Sequence, residues 1–169
     1  VGAANVDVHA QSRKGIVMRD SNPSFMATSV GGVTRNILEN LSRQGVSVSL
    51  LSAVGDDLFG EKIARDSTAA GIDMTHLHVK PGAVSSTYIA ILDERGDMLL
   101  GMSDMRIIED LPNAYLDEHA QLLQQAEAIV CDACVPVALL DHLLTITAGA
   151  TPVLIDPVST AYARQMEPI

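Results

Sequence analysis

Two patterns of hydrophobic and polar positions alternate along the chain. The first pattern, an apolar strand leading into an amphipathic helix, predicts strands over 46–54, 128–133 and 152–155 and helices over 33–44, 60–70, 113–126 and 136–148. Gly45 is placed to end the first helix, Asp57 to cap the second, and Pro136 to open the last. Strands that alternate with helices predict a parallel sheet with right-handed crossovers.

The second pattern consists of strands without helices. Residues 85–92 and 97–102 flank the polar turn 93–96 and predict a hairpin, while 8–29 is also short and extended. Because no helix follows these pieces, we expect them to form a small separate sheet. The predicted fold class is α/β: a single domain with a three-layer α/β/α core, a mainly parallel sheet and a small β-sheet lid from about 8–30 and 84–104.

Composition narrows the class of protein. Hydrophobic residues make up 47% of the 169 residues and aromatic residues only 3%, so the core must be built from aliphatic side chains and Met. That composition suits a sheet covered by helices on both faces. No apolar run approaches the roughly 18 residues of a membrane span, and no secretion leader opens the chain. We therefore expect a cytoplasmic protein without a membrane partner.

Charge and cysteine usage argue against further classes of function. The net charge is −10 and the 11 Lys and Arg residues are scattered, whereas a nucleic-acid surface needs clustered positive charge. Cys131 and Cys134 form one C-x-x-C pair in an apolar, strand-like run, and the sequence has no second pair to complete a zinc site. We interpret both as buried cysteines without a redox role.

The first candidate for chemistry is the run GAANVD, residues 2–7. Asn5 and Asp7 alternate with apolar residues at a strand end, so both side chains are expected on one face. An amide and a carboxylate in that position could hold two neighbouring hydroxyl groups, since each accepts hydrogen bonds. The alternative is a turn in which Asn and Asp bond the backbone.

The second candidate is the glycine pair that opens the first predicted helix. Gly31 and Gly32 would let a ligand approach the backbone, and the helix N-terminus exposes free N–H groups. Asn36 lies one turn into the helix and can point at the same ligand. The alternative is a simple glycine turn, and the run matches neither a dinucleotide fingerprint nor a P-loop.

Taken together, these motifs resemble the ribokinase-like (PfkB-type) carbohydrate kinase family. The run from Gly31 to Gly60 is similar to the family's N-terminal signature, with Asn36, Gly45 and Gly55 at the right spacing, and GAANVD matches its strand-end Asn and Asp. The later motifs follow in family order over essentially the whole chain, namely 71–73, 85–102 and 155–157. Within the family, the runs that look most like the pseudouridine kinases are 20–23, 31–33 with 35–37, 85–88, 104–105 and 156–159.

The resemblance implies a function and a set of site residues. Such kinases transfer the γ-phosphoryl group of ATP to a primary hydroxyl of a sugar or nucleoside, here pseudouridine, while the lid closes over the sugar. By resemblance, Asp7 binds ribose hydroxyls with Asn36 and the Gly32 backbone, and Asn5 supports them. The remaining implied substrate-binding positions are Gly31, Thr87, Asp104, Cys134 and Asp156. The implied cofactors are ATP, Mg²⁺ and a monovalent cation, and the implied protein partner is a second copy paired through the lid.

The sequence also departs from the family pattern. Thr34 and Leu38 are bulkier than the usual residues, which we expect to shape the pocket, and Cys134 stands where ribokinases carry a sugar-contacting Glu. The family's catalytic Asp and glycine-rich anion hole belong to its C-terminal half, and no such motif occurs here. The chain opens without Met in a strand-like run and closes in the helical stretch 160–169. We therefore expect the first part of a longer domain, without turnover of its own.

Several alternatives stay open at this point. The substrate could be another ribonucleoside or a sugar such as ribose or fructose, and a non-catalytic sugar-binding module is the rival from another class. Asp56 and Asp57 could form a metal pair, but a helix cap explains them better. His76 and His78 share one face of a short extended piece, and we interpret them as exposed polar residues because no third ligand lies nearby in sequence.

Overall fold

The computed structural model describes residues 1–166, so positions 167–169 of the predicted terminal helix lie outside the described residues. The strands are β1 (Asn5–Ser12), β2 (Ser24–Gly31), β3 (Ala53–Gly55), β4 (His78–Lys80), β5 (Thr87–Leu92), β6 (Met98–Asp104), β7 (Ile129–Asp132) and β8 (Val153–Asp156). The helices are α1 (Val33–Arg43), α2 (Leu58–Ala69), α3 (Arg106–Glu109), α4 (Asn113–Glu118), α5 (Ala120–Gln125), α6 (Val137–Thr147) and α7 (Thr160–Gln165). In this described range, no helix has the length and apolarity that crossing a bilayer requires.

Parallel strands form the middle of the molecule. β3 pairs with β4, and β7 pairs with β8, each in parallel. The segment 1–4 runs between the two pairs, since Gly2 N donates to Leu51 O at 3.1 Å and Val1 N donates to Val130 O at 2.8 Å. The first residues of the chain therefore join the two strand pairs into one central layer.

Helices cover both faces of this layer because alternate residues of its strands point to opposite sides. One apolar cluster contains Ala3 and Leu51 and takes in residues of α3 to α6, among them Ile108, Leu116, Leu123 and Leu139. The other contains Ala4 and Leu50 and takes in Leu38 of α1 and Ile63 of α2. The predicted three-layer α/β/α arrangement is thereby confirmed.

A separate four-stranded sheet, which we call the flap sheet, has the strand order β2-β1-β5-β6. β1 is antiparallel to β2 and parallel to β5, and β5 and β6 form the predicted hairpin. At its base, Val6, Val8 and Val30 pack against the apolar cluster of α1 and α2. Beyond that base the strands carry many exposed side chains on both faces.

Two predicted elements are wrong in extent. The strand expected over 46–54 is regular only at Ala53–Gly55, because its earlier residues meet their neighbour through a single isolated bridge between Ser49 and Asp73. The helix expected over 113–126 is divided at His119, whose Nδ1 lies 2.7 Å from Tyr115 O. That carbonyl would otherwise accept the helical bond of His119 N, which bonds Leu116 O instead.

One buried carboxylate ties the central layer to α1. Asp132, the last residue of β7, is 0% exposed, and its Oδ2 accepts hydrogen bonds from Ala3 N at 2.8 Å and Thr34 N at 3.0 Å. Its Oδ1 accepts from Cys134 N at 3.1 Å. The N-cap residue Gly32 has no side chain that could accept a hydrogen bond. Asp132, at the end of β7, therefore caps α1 in its place by accepting from Thr34 N. A negative charge at this end of a helix is favourable.

Packing around the carboxylate leaves no spare room. A Cβ on Gly2 would lie 2.6 Å from Asp132 Oδ2 and would also overlap the side chain of Thr34. Thr34 is fully buried, and Leu38 packs in the cluster of α1 and α2. Neither side chain is exposed beside Asp7, so the expectation that these two bulky residues shape the pocket stays a prediction.

We predict that Asp132→Asn destabilises the chain by about 1–3 kcal/mol, since an amide NH₂ would oppose a backbone N–H in either orientation. The measurement is the free energy of unfolding from chemical denaturation. Asp156→Asn is the matched control on the neighbouring strand, because among the described residues that half-buried carboxylate accepts only from Val158 N. A loss for Asp132→Asn no larger than that of the control would refute this role.

Candidate functional site

Asn5 and Asp7 project from one face of β1, where the strand leaves the core. Asn5 Nδ2 donates a 2.6 Å hydrogen bond to Asp7 Oδ1. Asn5 is buried and Asp7 is half-buried, so the amide orients the carboxylate and leaves Oδ2 available as an acceptor. Both residues lie in the regular ladder with β2, and the alternative interpretation of a turn is wrong.

The paired glycines bring the start of α1 directly beside this carboxylate. A Cβ on Gly31 would overlap the carboxylate of Asp7, and a Cβ on Gly32 would overlap Ala3 O. Gly32 also has a φ of 102°, in the region that favours glycine. Both positions therefore require glycine for this close approach, which sets the first turn of α1 next to Asp7.

Asn36 is exposed one turn into α1 and is held by its neighbour. Arg35 Nη1 donates to Asn36 Oδ1 at 3.2 Å. Arg35 itself is 5% exposed, forms an ion pair with Glu39, and donates from Nε to Ser67 Oγ at 3.2 Å. Because Arg35 engages the side-chain oxygen Oδ1 of Asn36, the side-chain nitrogen Nδ2 is left to donate to a ligand.

A second cap closes the turn before α2. Asp57 Oδ1 accepts from Gly60 N at 2.7 Å, and the same carboxylate accepts from Ser85 N at 2.9 Å and Ser85 Oγ at 2.6 Å. Burial raises the pKa of Asp57, but the bonds from Ser85 and Gly60 outweigh it and lower the pKa overall. Asp56 Oδ1 accepts from Gly82 N at 2.8 Å. The helix-cap interpretation of Asp57 is confirmed.

Thr87 and Asp104 lie on the opposite face of the flap sheet from Asp7. They are register partners of each other, and Thr87 is also the register partner of Val6. Arg106 donates to the Asp104 carboxylate from Nε at 2.9 Å and from Nη2 at 2.5 Å, and these bonds lower the pKa of Asp104. The fold therefore does not bring Thr87 and Asp104 together with Asp7.

Cys134 and Asp156 lie at the carboxyl ends of β7 and β8. Asp156 is half-buried, pairs in register with Asp132, and accepts from Val158 N at 2.8 Å. Burial, with the nearby charge of Asp132, raises the pKa of Cys134 to about 12, so it carries a neutral thiol. Cys131 is also buried and both cysteines are free, which confirms that they are buried cysteines.

His76 and His78 are half-buried, so the expectation of exposed histidines is wrong. The ring of His76 packs edge-on against His119 at 4.9 Å, and that of His78 against Tyr115 at 5.5 Å. These contacts tie β4 to the break between α4 and α5. Within residues 1–166, no three or more His, Cys, Asp and Glu side chains are grouped so that they could hold a metal ion.

Two residues that build the site were missed by sequence reasoning. Arg35 carries a signal in the i,i+4 spacing to Glu39, which is typical of a helical ion pair. Asp132 carries a weaker signal, a charge at the end of an apolar run. Its partners Ala3 and Thr34 are 129 and 98 residues away in sequence, so only the fold reveals what that charge does.

The comparisons with known proteins agree on the family of this chain. The chain matches the pfkB family of carbohydrate kinases over residues 1–167. It is 36% identical over 159 residues to a pseudouridine kinase of Escherichia coli, covering 94% of this chain and 50% of that protein. Overall, the chain spans about half the length of the curated relatives it matches.

Solved structures give the same picture of the fold. A carbohydrate kinase from Agrobacterium tumefaciens superposes with a TM-score of 0.91 at 25% identity, over 98% of this chain and 55% of that one. A ribokinase of Arabidopsis thaliana, complexed with ribose and ATP, superposes with a TM-score of 0.83 at 15% identity, over 92% and 51%. With the family match over nearly its whole length, the chain belongs to the pfkB family of carbohydrate kinases.

Proposed function

We propose that the chain forms the sugar-binding half of a kinase that transfers the γ-phosphoryl group of ATP to the 5′-hydroxyl of pseudouridine. The observation that carries the proposal is the placement of Asp7 Oδ2, an oriented carboxylate acceptor beside the first turn of α1. The 36% identical E. coli relative is a pseudouridine kinase, which favours this substrate over other nucleosides and sugars.

Asp7 would accept hydrogen bonds from two neighbouring ribose hydroxyls, because a carboxylate has two oxygens and no donor. Asn36 Nδ2 would donate to the same sugar, and the Gly31–Gly32 backbone would pack against the ring. Phosphoryl transfer depends mainly on positioning and charge neutralisation, so holding the sugar is the contribution of these residues. Closure of the flap sheet over the sugar would exclude water.

ATP, Mg²⁺ and a monovalent cation belong to the longer protein in this proposal. The described residues hold no group of side chains suited to a metal ion, so no step through a metal is assigned to them. A proton acceptor for the 5′-hydroxyl is likewise assigned to the rest of the kinase, and residues 1–169 alone would not turn over. The cytoplasm, which supplies ATP, is the compartment that suits the proposal.

The test is ATP consumption by the full-length enzyme with pseudouridine, uridine, ribose and fructose side by side. We expect the highest kcat/KM with pseudouridine, because the 36% identical relative is a pseudouridine kinase. Preference for ribose or fructose would keep the family and reject the substrate. Absence of turnover with all four would favour a non-catalytic sugar-binding module.

The face of the flap sheet opposite Asp7 supports a second part of the proposal, namely that two copies of the protein pair through their flap sheets. Register places Ile89 opposite Met102 and Ala10 opposite Met26, so their side chains share the face that points away from Asp7. Three of these side chains are large, apolar and exposed, as is the nearby Leu100. A contiguous exposed apolar surface of this kind is typical of a protein interface.

We predict that the protein is a dimer and that Ile89→Lys combined with Met102→Lys makes it monomeric, because charges would be buried in the shared face. Sedimentation velocity is the measurement, with Gln11→Lys on the opposite face as the matched control. A monomeric wild type, or a double variant that remains dimeric, would contradict the pairing.

A further inference from the structure

Tyr88 lies on the same face of the flap sheet as the candidate sugar-binding carboxylate. It is the register partner of Asp7 on the adjacent strand β5, and register partners point to the same side. Adjacent strands are only about 4.8 Å apart. The side chain of Tyr88 therefore begins one strand away from the carboxylate that we assign to the ribose.

The aromatic ring is held in place by a glycine and a methionine. A Cβ on Gly101 of β6 would lie 3.0 Å from Tyr88 Cζ and 3.3 Å from Cε2, so the outer half of the ring lies across the Gly101 backbone. Tyr88 Oη donates to Met98 Sδ at 3.3 Å. These contacts fix the ring over β6 while Tyr88 stays half-buried, with part of its surface open.

The surroundings of the ring are open and mostly small. Ser103 and Ser29, the register partners of Tyr88 and Asp7 on the outer strands, are both exposed and share this face, as does Ala27. A planar group attached to a sugar at Asp7 can therefore reach the ring without displacing a bulky side chain. The other face of the sheet carries apolar side chains instead, among them Ile89, Leu100 and Met102.

We propose that the Tyr88 ring is the surface on which the base of the substrate stacks, while Asp7 holds its ribose. The inference rests on the proposed function and adds what selects a nucleoside over a plain sugar. Aromatic side chains are common stacking partners of unpaired bases. Gly101 is then required because any side chain there would push the ring away from the face that receives the base.

The test compares Tyr88→Leu with Tyr88→Phe in the full-length enzyme, using pseudouridine and ribose as substrates. Removing the ring is expected to raise KM for pseudouridine roughly 5- to 150-fold, the range that corresponds to loss of one base–aromatic stack, and to leave KM for ribose unchanged. Tyr88→Phe keeps the ring and is expected to stay within about twofold of the wild type. Gly101→Val is expected to raise KM for pseudouridine and leave KM for ribose unchanged, as Tyr88→Leu does.

A second readout decides the matter even if ribose is not phosphorylated. Stacking on the ring should shift the H6 proton resonance of bound pseudouridine upfield in the wild type and in Tyr88→Phe, and this shift should vanish in Tyr88→Leu. An equal rise in KM for pseudouridine and for ribose in Tyr88→Leu would overturn the inference. So would an H6 shift that survives in Tyr88→Leu. If the wild type phosphorylates no nucleoside, the proposed function fails, while the H6 shift still decides whether a base stacks on Tyr88.

Discussion

The Asp132 carboxylate accepts hydrogen bonds from backbone N–H groups of two distant segments and of its own turn, and the geometry of the site depends on this junction. Ala3 leads into β1, which carries Asn5 and Asp7, and Thr34 lies in the first turn of α1, which carries Asn36. A buried charge is costly unless hydrogen bonds satisfy it, and here three N–H donors and the end of a helix do so. The two segments proposed to hold a sugar are therefore fixed relative to each other by a residue that is itself buried.

The flap sheet adds a second constraint, because its two faces differ in chemistry. Alternation along β1 puts Asn5, Asp7 and His9 on one face and Val6, Val8 and Ala10 on the other. The first face also carries Tyr88 of β5, and its Asp7 lies beside the start of α1. The second packs on the core at its base and exposes large apolar side chains farther out. One sheet can thus carry the proposed sugar contact on one side and the proposed pairing surface on the other.

Much of this arrangement could be predicted from the sequence. Helix caps such as Asp57 depend on local spacing, and the pairing of Asn5 with Asp7 follows from the period of a strand. The break at His119 could not be predicted, because a side chain competes there for a helical carbonyl. The roles of Asp132 and the burial of Thr34 depend on contacts between distant segments, which pattern alone does not reveal. Thr87 and Asp104 match family motifs, yet the register of β5 places them on the face opposite Asp7.

The central claim is that Asp7, which lies on β1 beside the start of α1, binds ribose hydroxyls. The most direct measurement is calorimetric titration of pseudouridine into the full-length kinase and its Asp7→Ala variant, with Asp97→Ala in the exposed hairpin turn as the control. Loss of two charge-assisted hydrogen bonds should weaken binding on the order of 10²-fold or more, with the control unchanged. Equal affinity of the wild type and Asp7→Ala would contradict the account.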